Sequence, residues 1–232
     1  MQGINNYYSA VENRLDAPGG ADVHRMPSSR AHWLAETLRS RLLAGVYRPG
    51  EWIRESTLRE EFGFSNGPVR EALHELISDK LLERVPYRGV RVTSLEPRDI
   101  VELFQLRSAM MELAADLAAR RRDPVALSRV PEILEFLRLN LESKRPFTGI
   151  VTTWVAESSG SIRLAQAWHE LFLQTQIYVP ETRSSPSNFA RALEHVRAMI
   201  AAIIAGDANA ARENARAFTR AQVDALGFDM EF

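Results

Sequence analysis

Between Leu58 and Leu82 the chain is punctuated in a way that few folds can use. A short apolar-patterned segment, Ser56 to Phe62, stops at Gly63-Phe64-Ser65; a second runs from about Asn66 to Asp79 with Pro68 in its first turn. Proline there costs no hydrogen bond, because the first N–H groups of a helix lack partners, and Ser65 is of a type that caps helices. Val69, Leu73 and Leu76, with Ala72 and Ile77, supply a stripe to bury, while Asn66, Arg70 and His74, spaced by four, form a polar stripe on another face. Two short helices joined by a tight Gly-containing turn make a helix-turn-helix.

The flanks complete the unit. Leu34, Leu38 and Leu42 recur every four residues from Ala31 to Gly45, which predicts a first helix. The turn Tyr47-Arg48-Pro49-Gly50 leads into an extended piece, Glu51 to Arg54. After the third helix, Leu81 to Val85 and Gly89 to Thr93 read as strands around Pro86-Tyr87-Arg88-Gly89, with Val90 and Val92 alternating about Arg91. Beyond Ser94 the pattern is helical throughout: Pro97 to about Arg122, then 124–143, 147–158, 161–179, 187–205 and 207–226, with Pro131 a candidate to split the second of these. The expected fold is mainly α. A winged helix-turn-helix of three helices plus a β-hairpin occupies residues 30–93, and an all-α bundle occupies 94–232. Residues 1–29, with Pro18, Gly19, Gly20 and Pro27, read as a flexible tail, although Tyr7-Tyr8 could pack onto a partner.

Composition excludes several classes. The 232 residues suit two domains, and with no cysteine there is no disulfide, zinc-cysteine finger or thiol catalysis. No apolar run approaches the ~20 residues that span a bilayer, and no basic segment precedes an apolar core at the N-terminus. No membrane association is expected, and the cytoplasm is the default location. Residues 30–93 hold 11 lysines and arginines against 9 acidic residues; residues 94–232 hold 16 against 18. So small an excess matters less than the face that carries the arginines, and the glutamates are expected to pair on the opposite one.

The polar stripe has the chemistry of base readout. Asparagine pairs two-pronged with adenine and arginine with guanine, and Gly67 permits close approach to a sugar-phosphate backbone. The wing adds Arg84, Arg88 and Arg91, with Arg88-Gly89 at its tip. The same pattern also fits an ordinary amphipathic helix with a solvated face.

A longer ordered string carries a resemblance. Pro49-Gly50-Glu51, Leu58 to Gly63, Ser65-Asn66-Gly67-Pro68-Val69-Arg70-Glu71-Ala72-Leu73, then Leu76, Leu81 and Gly89 closely resemble the GntR family of bacterial regulators. The family's usual form is Ser-Arg-Thr-Pro-Val-Arg-Glu-Ala-Leu. Asn66 and Gly67 therefore replace a common DNA-contacting arginine and its neighbour, and the usual half-site sequence is not carried over. The polar stripe, the wing and the resemblance together give Ser65, Asn66, Gly67, Pro68, Arg70, His74, Arg88 and Gly89 as the expected DNA contacts. The resemblance implies that Ser65 meets phosphate and Gly89 lies close to DNA, and Arg70 is the leading candidate for a base. The second half is similar to the FCD domain of the FadR subgroup at Leu106-Arg107, Glu112 to Ala115, Ser159-Gly160, Leu164, Glu194-His195, Ala202 to Asp207 and Ala210-Ala211. Together the two resemblances run from about residue 31 to 226.

Many FCD domains hold a divalent metal through one Asp and three His. The corresponding positions here are Thr148, Thr152, His195 and Phe218, so one ligand of four is retained and no cofactor or metal is expected. Thr148 and Thr152 lie one turn apart, and Asn214 and Phe218 repeat that spacing. With His195 and Arg107 they would line a moderately polar effector cavity for a small organic molecule. Equally, they could fill a core that lost its ion, and His195 could be a hydrogen-bonded core histidine.

The implied function is a sequence-specific DNA-binding transcriptional regulator: a repressor whose hold on double-stranded operator DNA is relieved by an effector. A homodimer is expected, since one short recognition helix covers too few base pairs for specificity. The alternatives are a metal-responsive regulator of the same fold and a helical protein-interaction module. The sequence holds no phosphate loop, no Gly-x-Ser-x-Gly elbow and no dinucleotide fingerprint, and Ser158 to Ser161 reads as a helix break, so an enzyme is not expected.

Overall fold

The computed structural model describes residues 29–142, 148–178 and 186–227. The reading of the N-terminal tail, with Tyr7 and Tyr8, lies outside them except at Ser29. The chain divides into two compact units at Leu95–Glu96.

In the first unit, helix α1 (Arg30–Leu43) starts at Ser29, whose Oγ accepts from the His32 N–H at 3.4 Å. Strand β1 (Trp52–Ile53) leads into α2 (Glu55–Phe62), which ends at Gly63 with φ of 65°, a left-handed cap that glycine adopts without strain. Helix α3 (Asn66–Ser78) packs on both α1 and α2. Leu34, Leu38 and Leu42 of α1 and Val69, Ala72, Leu73 and Leu76 of α3 are buried, as their spacing predicts; Ile77 is only half-buried. Burying each leucine or valine contributes about 1.5–3 kcal/mol. Ser65 occupies the cap position of α3 without the predicted side-chain hydrogen bond, leaving its hydroxyl free to face solvent.

The wing differs from the expected hairpin by one strand. β2 (Leu82–Val85) and β3 (Gly89–Val92) pair antiparallel, and β1 adds to the other side of β3, giving the order β1-β3-β2. Trp52 stands opposite Arg91, and Glu83 stands opposite it from the other side. Val90 and Val92 turn inward and are buried. A two-residue strand has no period to read, which is why the sequence shows it only as an extended piece.

The second unit is helical. α4 (Pro97–Arg121) begins with Pro97 in its first turn and Asp99 near its positive end. It is followed by α5 (Pro124–Leu127), α6 (Val130–Glu142), α7 (Thr148–Ser158), α8 (Ile162–Gln176), α9 (Pro186–Ala205) and α10 (Ala208–Ala225). The expected helix over 124–143 is split at Ser128-Arg129. Pro131 stands in the first turn of α6, where its missing N–H breaks nothing. α4 is the shared wall: α7, α8, α9 and α10 all pack on it. Ser161 and Asp207 cap α8 and α10 by accepting backbone N–H groups, and Gly160 and Gly206 take positive φ at the two helix breaks. No helix among the described residues is long and apolar enough to cross a membrane.

Candidate nucleic-acid interface and helical-domain core

The exposed face of α3 carries Asn66, Arg70 and His74 in one row, and the opposite face is entirely core. Gly67 opens that row, with nothing within 4 Å of where a Cβ would stand. Arg70 is held from behind. Its Nε donates to Glu55 Oε2 at 3.0 Å, while the side chain stays 66% exposed. Glu55 sits in the first turn of α2, where the helix dipole favours a carboxylate. The remaining guanidinium N–H groups point away from that bond, a two-donor edge of the kind that reads guanine.

The turn of the wing is Pro86-Tyr87-Arg88. Tyr87 is fully exposed at φ of 62°, and Gly89 has φ of 115°, a value that only glycine adopts readily. The Arg88 guanidinium lies over the Trp52 ring at 5.7 Å from its centroid, and that of Arg91 at 5.9 Å. Arg91 also donates through Nε to Glu83 at 2.7 Å. Thus Ser65, Asn66, Gly67, Arg70, His74, Arg88 and Gly89 are all exposed in this unit, with Pro68 half-buried. The sequence reading missed Trp52, Arg54 and Glu55. Their only signal was an alternation of aromatic, cationic and acidic residues just before α2.

The acidic residues do not all gather on one face. Glu36, Glu75 and Asp79 surround the buried guanidinium of Arg39 and clamp α1 to α3, but Glu55 and Glu83 pair with Arg70 and Arg91. His32, Glu36 and Glu75 bring one ligand atom each within 4.8 Å of one another. Arg39 already bonds both of these glutamates, so the cluster is satisfied as an ion-pair network.

In the helical unit Arg107 is fully buried on α4. Its Nη1 donates to Thr175 Oγ1 at 3.1 Å, and the rings of Phe104, Trp168 and Phe172 surround the guanidinium at 5.5, 5.4 and 5.9 Å. Rings around a desolvated guanidinium offset part of its burial cost through their negative faces. Trp168 is 1% exposed and its Nε1 has no hydrogen-bond partner among the described residues. Thr175, Trp168 and the two phenylalanines escaped the sequence reading, because an apolar helical stripe looks the same whether it encloses a cation or not.

His195 Nδ1 lies 3.3 Å from Asn214 Oδ1, and Asn214 Nδ2 donates to the Ala210 carbonyl. The second bond fixes the amide orientation, so His195 is the donor through Nδ1. Thr152 is buried, with Oγ1 donating to the Gly149 carbonyl at 3.4 Å, and Phe218 is buried. Thr148 opens α7, and its side chain lies outside the described residues. An imidazole tied to an amide, a hydroxyl tied to a backbone carbonyl and a phenyl ring do not form a donor set for a transition metal.

Comparison with known proteins agrees with this arrangement in both units. Residues 31–92 match the family of bacterial regulatory proteins termed gntR, and residues 102–221 match the FCD domain. The HTH-type transcriptional regulator YdhC of Bacillus subtilis (strain 168) is 29% identical over 70% of this chain and 64% of its own length. The chain thus spans just under two thirds of that relative. A probable D-xylose utilization operon transcriptional repressor of Paenarthrobacter nicotinovorans is 31% identical over 68% of this chain and 71% of its own. Among solved structures, Escherichia coli McbR/YncC superposes with a TM-score of 0.74 at 22% identity, covering 87% of this chain and 98% of that one, which speaks for the fold.

Proposed function

The chain belongs to the GntR family of bacterial regulatory proteins with an FCD domain, and from that premise we propose that it is a repressor controlled by a small organic effector. The observation that carries this is the row Asn66, Arg70 and His74 on α3, with Arg70 braced by Glu55. A helix presenting such a row enters the major groove, where each two-pronged base contact is worth about 1–3 kcal/mol of discrimination. The wing, with Arg88 and Gly89, supplies contacts to the flanking backbone, as does the exposed Ser65 hydroxyl. The proposed partner is double-stranded operator DNA, and the proposed location is the cytoplasm.

A homodimer is supported by α4. Leu103, Leu106, Met110, Leu113 and Leu117 repeat at spacings of three and four, and Leu106 and Leu113 are 54% and 51% exposed. That stripe lies away from the buried face of the same helix and suits a second copy. A two-fold dimer doubles the length of DNA read.

For the effector, Arg107, Thr148, Thr152, His195, Asn214 and Phe218 remain the proposed contacts, with no resident metal. Support comes from the buried polar groups of Arg107 and Thr152 and from the oriented imidazole of His195, whose Nε2 is left to accept. Any effector that lowers operator affinity must itself bind less tightly to the DNA-bound protein.

A fluorescence-anisotropy titration tests the reading, using the DNA upstream of the chain's own gene and a random duplex at several salt concentrations. Selective binding that weakens with salt supports it. Absence of binding to either duplex at low salt overturns it in favour of a protein partner. Metal titration of the free protein distinguishes the metal-responsive reading.

A further inference from the structure

A cleft of about 520 Å³ opens beside the wing, lined by Trp52, Ile53, Arg54, Glu55, Ser56, Arg88, Gly89 and Val90. Its charges are unequally committed. The Glu55 carboxylate is taken up by Arg70, and the Arg91 guanidinium beside the cleft is taken up by Glu83. Arg54 and Arg88 have no carboxylate partner among the described residues. The cleft therefore keeps two cationic walls and no free anion, an arrangement completed by an acceptor-only group from outside.

Trp52 explains how one of those walls is held. Its indole is 39% exposed, an unusual position for so large an apolar ring, and it is covered by two guanidiniums. Pairing of β1 with β3 fixes the ring directly opposite Arg91. Arg88 lies in the turn between Tyr87 and Gly89, both at positive φ, so the backbone there is set while a long side chain remains to be ordered. The indole face supplies that order through cation–π attraction.

We infer that this cleft seats a backbone phosphate of bound duplex DNA between Arg54 and Arg88, with Trp52 as the positioning residue that pre-orders Arg88. The inference rests on the DNA-binding reading. It follows from the cleft's location: its Glu55 edge adjoins Arg70 of α3, and its Arg88-Gly89 edge is the wing. A duplex engaged by both passes its backbone across the opening. Phosphate contacts of this kind fix register without reading sequence, so the operator need not be known to test them.

The test is an anisotropy titration of the full-length chain against a random-sequence duplex over a range of salt. Arg54→Ala and Arg88→Ala should each lower the slope of log affinity against log salt by about one, the loss of one phosphate contact. Trp52→Ala should weaken binding about two- to fivefold, the scale of an exposed cation–π contact, and Trp52→Phe should restore most of it. Trp52→Leu, which keeps an apolar side chain but removes the ring, should behave as Trp52→Ala. In the Arg88→Ala background, Trp52→Leu should have no further effect, which a merely structural role would not produce. Additive losses from Trp52→Leu and Arg88→Ala overturn the inference, as does an Arg88→Ala slope equal to that of the unmodified chain. Failure of the unmodified chain to bind any duplex defeats the DNA reading itself and is distinct from either result.

Discussion

Arg70 owes its exposed, ordered position to Glu55, fifteen residues earlier in the chain. A free arginine on a helix surface samples many rotamers; one tethered at Nε keeps its terminal N–H groups aimed in one direction. Arg70→Ala is expected to cost about 1–3 kcal/mol of operator binding and to relax the preference at one base pair. Affinity measured against a set of single-base operator variants checks both effects. Thr152 is a second residue with a defined test. It is buried on α7, so Thr152→Trp fills any space that an effector would use. The variant should bind operator as before but no longer release it when the effector is added, with thermal unfolding confirming that it folds.

At the scale of elements, caps decide where helices begin. Asp123 accepts from the Val125 and Ala126 N–H groups and starts α5 immediately after α4 ends at Arg121. The Ala126 N–H, the Arg121 guanidinium and the Val125 N–H hold its carboxyl below the usual carboxylate range. A depressed value in the folded protein means that this group stabilises the fold above its unfolded pKa. The contribution is lost as pH falls through the folded value. Asp123→Asn keeps a capping oxygen but does not titrate, so thermal unfolding followed from about pH 6 to pH 3 should show a shallower acid decline in the variant. The turns after α7 and α9 are similarly specified: a Cβ at Gly160 would run into the Arg121 side chain, and one at Gly206 would crowd Arg122.

At the scale of the whole molecule, Leu106 and Leu113 in the α4 stripe stand exposed among the described residues. On the proposed homodimer, replacing Leu106 and Leu113 together by glutamate should yield a monomer in analytical ultracentrifugation while leaving the helical content intact. Operator affinity should fall with it, because each recognition helix would then bind its half-site alone. A dimer that persists in the double variant would place the interface elsewhere.

Local patterns carried much of this protein. The stripes of α1 and α3, Pro68 and Pro97 in first turns, the alternation of Val90 and Val92, and the helix break at Gly160 were legible because helix and strand periods act within a few residues. The tertiary structure alone decided the pairings across distance. Arg107 meets Thr175, sixty-eight residues away, inside a ring of aromatic side chains. β1 brings Trp52 beneath Arg88 and Arg91, and α2 brings Glu55 to Arg70. Periodicity tells which face of an element is buried, but it does not tell which side chain from another element arrives there. That depends on how the backbone places the elements, and on the few contacts in which a charge finds a partner that offsets its burial.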